Sequence, residues 1–75
     1  METPKQYSNF RLREIVEEFI HSDRDRLILV EKYCNKKTME QIAEKYDLSV
    51  SQVKRIVTRG GETVFRIMAE DNRRN

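Results

Sequence analysis

The sequence is short of everything that braces a very small protein covalently. One cysteine, Cys34, excludes an internal disulfide, and with His21 as the one histidine no zinc site of the Cys/His type can be assembled. Tryptophan is missing, and one proline with two adjacent glycines, Gly60 and Gly61, are the only strong breakers in 75 residues. No stretch therefore reads as a linker, a repeat or low complexity. The longest unbroken apolar run, Leu27 to Val30, is four residues, against about 20 needed to cross a bilayer, and no signal-peptide stretch opens the chain. No membrane partner and a cytoplasmic setting are expected. The length suits one domain spanning residues 1–75. A chain this small buries only about 60% of its unfolded surface, so support from a second copy, as a homodimer, is worth expecting.

A dominant charge is also lacking. Fifteen basic against thirteen acidic residues leave a net charge of +2, which by itself selects no partner. Its distribution is more informative. Residues 1–22 and 23–47 are slightly acidic and neutral, and residues 60–75 are neutral, so the excess falls in residues 48–59, where Lys54, Arg55 and Arg59 stand without any acid.

What is abundant is helical patterning. Leu12, Ile15, Val16, Phe19 and Ile20 recur at i, i+3 and i+4, and alternation of strand length is hard to find. The fold class expected is all-α, a small bundle of four to five helices. Start signals divide them, because a Ser or Thr side chain accepts from the first-turn N–H groups while a Gln or acid three residues later answers it. Thr3 with Pro4 and Gln6, or else Ser8, opens a first helix to about His21; Ser22 with Asp25 opens a second, carrying Leu27, Ile28, Val30, Tyr33 and Cys34. Asn35 to Lys37 reads as a turn. Thr38 with Gln41 caps a third helix containing Ile42, Ala43 and Tyr46, and Ser49 with Gln52 caps a fourth containing Val50, Val53, Ile56 and Val57. Gly60 is placed to end that helix in a left-handed conformation, followed by a fifth helix from Glu62 to Glu70 or by a hairpin wing with Thr63 to Ile67 as its second strand. The tail Asp71 to Asn75 is expected to fray.

Two short helices joined by a tight turn, the second opening at a capped serine, have the layout of a helix-turn-helix, whose second helix enters the DNA major groove. Ala43 is small where such helices cross. Ile42, Tyr46, Leu48, Val53 and Ile56 are apolar where the pair must face its supports, whereas Ser51, Lys54, Arg55 and Thr58 share another face at i, i+3, i+4 and i+7.

The segment Thr38 to Val57, TMEQIAEKYDLSVSQVKRIV, resembles the helix-turn-helix of region four of bacterial sigma factors, and is similar also to that of LuxR-type regulators. Arg24-Asp25-Arg26-Leu27-Ile28-Leu29 and Tyr33 resemble the helix that leads into the motif, so the likeness covers about residues 23–58. Many helix-turn-helix proteins have glycine where this chain has Asp47, a residue that tolerates a left-handed backbone. The chain is too short to hold a sigma factor's other promoter-reading domain as well. The resemblance implies a DNA-binding regulator, with RNA polymerase as a further partner.

Position assigns the roles. Val50, turned outward, would meet a thymine methyl, and Ser51 and above all Arg55 would read base edges, Arg55 by two hydrogen bonds to guanine, while Lys54 would reach either a base or a phosphate. Lys36, Lys37, Thr38, Gln52, Thr58 and Arg59 would hold phosphates, the first three with the N-terminus of the third helix. A charged helix face is ordinarily just a solvated one; the capped pair, Ala43 and the lack of acids favour double-stranded DNA here. His21 reads as a helix-end residue, Cys34 as a small packing group, and Glu14, Glu17 and Glu18 as solubilising surface, so neither catalysis nor a cofactor is expected. Tyr7, Phe10, Phe65 and Met68 would complete the core or join subunits. Two other functions fit the same pattern: a sigma-like module binding polymerase or a regulator without reading DNA, and an accessory DNA-binding factor in phage recombination or replication.

Overall fold

A computed structural model describes residues 4–74, with side chains over residues 9–73. Helices α1 (Pro4–Phe19), α2 (Asp23–Tyr33), α3 (Met39–Tyr46) and α4 (Val50–Arg74) account for its regular structure, with no strand among the described residues. Thr3 and the side chains of Tyr7 and Ser8 lie outside the description, but α1 is already helical at Pro4, so Ser8 does not open it.

Each interhelical junction has a local cause. Arg26 donates from Nε to the Ile20 carbonyl at 2.5 Å, holding the end of the α1 segment, and the Ser22 hydroxyl accepts from the Asp25 N–H at 3.3 Å. After α2 the N–H groups of Cys34 and Asn35 both reach the Val30 carbonyl and that of Lys37 reaches Glu31, while Lys36 adopts φ 59°. A lysine pays a steric penalty in that left-handed region that glycine avoids. Lys36→Gly is therefore expected to raise stability, by up to about 1 kcal/mol, readable as a higher urea midpoint at unchanged slope; a lower midpoint would contradict it.

Two small cores hang on α2 and α4. Leu29 points into one with Leu12, Ile15, Val16 and Val64, and its neighbour Ile28 points into the other with Ile42, Ala43, Val53 and Val57. Consecutive residues of one helix thus serve opposite halves of the protein. Helix α4 packs on all three other helices. At 1.5 Å per residue its 25 residues run about 37 Å, nearly the full 40 Å length of the molecule.

That length overturns one expectation. Gly60 does not end a helix, no separate fifth helix spans 62–70, and no hairpin wing forms: α4 continues through Gly60 and Gly61, neither of which has positive φ. Both are buried on the flank that receives α2, so their missing side chains are used for close approach rather than for a turn. The contacts expected of the last segment survive, with Val64 in the core and Ile67 and Met68 packed against it. Nor are residues 71–74 a frayed tail; Asn75 lies outside the described residues. Helix α4 runs to Arg74, and Arg11 of α1 grips Asp71 with Nε at 2.6 Å and a terminal nitrogen at 3.1 Å. Phe10, by contrast, faces solvent at 64% exposure, and Phe65, at 51%, meets Tyr33 edge to face.

Candidate nucleic-acid interface

The joint between α3 and α4 is built by two reciprocal caps and one left-handed residue. Thr38 accepts at its hydroxyl from the Gln41 N–H at 3.1 Å, while the Gln41 side-chain oxygen accepts from the Thr38 N–H at 2.9 Å. Ser49 and Gln52 repeat the pattern at 3.1 and 2.9 Å. Between them Asp47 takes φ 57°, ψ 48°, and its N–H and that of Leu48 both reach the Ala43 carbonyl. The chain thus passes from α3 to α4 through three residues that leave little backbone freedom. Underneath, Ile42 and Ala43 meet Val53 and Val57, with Met39, Tyr46, Leu48 and Ile56 packed around them.

This arrangement settles which side of α4 is left outside. Val50 is 42% exposed, and Ser51, Gln52, Lys54, Arg55, Thr58 and Arg59 are all exposed, whereas Val53 and Val57 are buried. Among the described residues, no hydrogen bond or ion pair engages Lys54, Arg55 or Arg59. Ser51, Lys54, Arg55, Thr58 and Arg59 border one open surface groove together with Glu62. On the neighbouring flank Gln52, Arg55 and Arg59 face Arg24 and Asp25, from the first turn of α2, across a recess of about 310 Å³ floored by Ile20, Leu29, Ile56 and Gly60. Arg55 and Arg59 border both depressions.

Some expected site residues stand apart. Lys36, Lys37 and Thr38 are exposed in the segment before α3 and line neither depression. The Thr38 N–H is taken by Gln41 and its hydroxyl oxygen accepts from the Gln41 N–H, so an anion there would meet the Thr38 hydroxyl hydrogen and the N–H groups of Met39 and Glu40. The Gln52 carbonyl oxygen is likewise engaged by Ser49, leaving its amide nitrogen to face outward partners. Arg24, Asp25 and Glu62 are the charged groups at this surface that patterning along the chain did not assign. No local signal marks them, because they arrive through the packing of α2 on α4 and through the uninterrupted course of α4.

Fold and surface together define a helix-turn-helix protein that presents a free cationic face on its second helix. Residues 22–64, more than half of the chain, match the family described as Sigma-70, region 4, and the chain belongs to that family. Its helix-turn-helix accordingly has a DNA-binding role in transcription, and domains of this family bind both DNA and RNA polymerase. No curated protein and no solved structure matches the chain. No helix among the described residues is long and apolar enough to cross a membrane.

Proposed function

We propose that this protein is a sequence-specific transcriptional regulator that binds double-stranded DNA and reads the major groove with residues 49–59. The observation that supports this best is the unengaged cationic side of a helix whose first turn is locked by a capping box. On this reading Val50 and Ser51 approach base edges first, Arg55 reads guanine one turn later, and Lys54 reaches a base or a phosphate. Thr58 and Arg59 lie further along the helix and hold the backbone together with the Gln52 amide in its first turn, as do Lys36, Lys37, Thr38 and the N-terminus of α3.

Selection of bound duplexes from a random pool tests the reading directly. An enriched motif is expected, and its symmetry reports whether one chain or a homodimer binds. A pool that emerges unenriched at moderate salt contradicts sequence-specific recognition.

The recess adds Arg24 to the footprint. Arg24 there is paired with Asp25 at 3.3 Å, and with Arg55 and Arg59 on the opposite wall three cations outnumber that one acid, so the occupant of the recess on DNA is a phosphate oxygen, which carries no base identity. Arg24→Ala should weaken selected and random duplexes alike and flatten the log–log salt dependence by about 0.9. An unchanged slope would remove Arg24 from the interface.

A second reading, in which polymerase is the main partner, draws on family membership and on Phe10, which is the most exposed large apolar residue among the described residues. Chemical-shift changes on α1 with polymerase fragments and none on α4 with duplex DNA would favour it.

A further inference from the structure

Glu31 is the only charged side chain among the buried described residues, 7% exposed, and no DNA-facing role reaches it. It sits on α2 one turn after Ile28, where an apolar residue would have extended the core shared with Ile42 and Val53. Instead its carboxylate collects donors from three residues, one in the turn after α2 and two at the end of α3. Asn35, in the turn leaving α2, donates to Oε1 at 3.2 Å. Lys45 of α3 donates to Oε2, and the Tyr46 hydroxyl approaches the same oxygen at 3.5 Å. Lys45 is itself 61% exposed and lies beside the Tyr46 ring, so it covers the acid from the solvent side.

We infer that Glu31 is a positioning residue for the DNA-reading helix: it pins the last turn of α3 to α2 and so sets the angle at which α4 leaves the joint. A buried carboxylate paired with an exposed ammonium is weak evidence for stability, because desolvation of the acid offsets much of the attraction; the best-attested use of such a pair is to select one geometry over near alternatives. Here the pinned residues immediately precede the left-handed Asp47, and from there to Val50 the backbone is held by the Ala43 carbonyl and the Ser49–Gln52 cap. A tilt of α3 about its apolar contacts would therefore be handed to α4 with little loss. Side chains reading base edges tolerate displacements of only about 0.5 Å and 10–20°. The Lys45 ammonium, then Asn35, hold the Glu31 carboxyl below its ordinary value of 4.5, with Lys37 contributing in the same direction, so the pin is ionised at neutral pH.

The inference rests on the proposed DNA reading for its binding measurement, and a second measurement frees it from that reading. In the full chain, Glu31→Met removes both charge and acceptors, Glu31→Gln keeps an acceptor, and Lys45→Met removes the main donor from an exposed position. None alters Lys54, Arg55 or Arg59. With helix content verified by circular dichroism, the ratio of affinities for selected and random duplex should fall by about tenfold for Glu31→Met, the discrimination supplied by one arginine–guanine pair. Glu31→Gln should fall less and Lys45→Met in between. Folded variants with an undiminished ratio would overturn the inference; should Glu31→Met fail to fold, Lys45→Met decides. Should the wild-type chain enrich no duplex at all, the proposed function fails on its own account. The angle between α2 and α4 from residual dipolar couplings then decides: a changed angle in Glu31→Gln and Lys45→Met sustains the positioning role, and an identical one ends it.

Discussion

Arg55→Ala is expected to lower affinity for the selected duplex by about 5- to 150-fold, the equivalent of the 1–3 kcal/mol that a bidentate arginine–guanine contact discriminates. Binding to random duplex should change far less, because nonspecific affinity comes from the sum of phosphate contacts and Arg55 supplies at most one of several. Structurally the substitution is mild. Arg55 is exposed and engages no other described residue by hydrogen bond or ion pair, so alanine opens no cavity, orphans no partner and slightly favours the helix. The loss can therefore be read as an interface effect, checked by titrating both duplexes at matched salt. Equal losses on the two would assign Arg55 to the phosphate backbone alone. The contrast with Arg24→Ala sharpens the measurement: that residue faces Arg55 across the same recess, yet its removal should act on both duplexes and on the salt slope.

The helix-turn-helix was legible in the chain because its determinants are local. Thr38 with Gln41 and Ser49 with Gln52 declare helix starts within four residues, and Asp47 takes the left-handed turn its chemistry tolerates. Ile42, Ala43 and Val53 follow from periodicity. What local patterning obscured was set by contacts distant in sequence. Gly60 and Gly61 look like a helix end when only neighbours along the chain are weighed; Leu29 and Tyr33, which explain them, belong to another helix. Asp71 looks like part of a loose tail until Arg11, sixty residues earlier, is brought against it. Glu31 is indistinguishable by composition from the solvated acids of α1, and its burial follows only once α3 lies over α2. For the candidate site the same division holds: the exposed face of α4 was readable from spacing, whereas which atoms of Thr38 and Gln52 stay available was not, because their caps engage the side-chain oxygens as acceptors and leave the hydroxyl hydrogen and the amide nitrogen as the donors for a phosphate.

The glycine pair yields the largest expected effect on stability, and the two positions should respond with opposite tendencies. On helix propensity alone, either Gly→Ala change in α4 would stabilise by about 0.8–1 kcal/mol. At Gly60, however, the added Cβ would collide with the head of Leu29: it would lie against Cδ1 and only 2.7 Å from Cδ2 and 3.0 Å from Cγ. Leu29 has no exposed surface and packs against Leu12, Ile15, Val16 and Val64, so it can escape only by leaving that packed position for the recess it shares with Gly60. Either Leu29 gives up core contacts or helices α2 and α4 move apart. Overpacking of this kind costs roughly 1–3 kcal/mol, which exceeds the propensity gain. In a chain of this size each kcal/mol lowers the melting temperature by about 4–8 °C. At Gly61 the only close atom is the Tyr33 hydroxyl at 2.6 Å, the tip of a half-buried ring that can swing outward. Gly61→Ala should melt at or above the wild-type temperature, and Gly60→Ala clearly below it. Combining Gly60→Ala with Leu29→Ala should restore part of the loss relative to the sum of the single changes, since the clash and the cavity occupy the same space. A Gly60→Ala protein that melts higher than wild type would mean that α2 and α4 accommodate a methyl group between them without strain, and the explanation given for the uninterrupted course of α4 would fall with it.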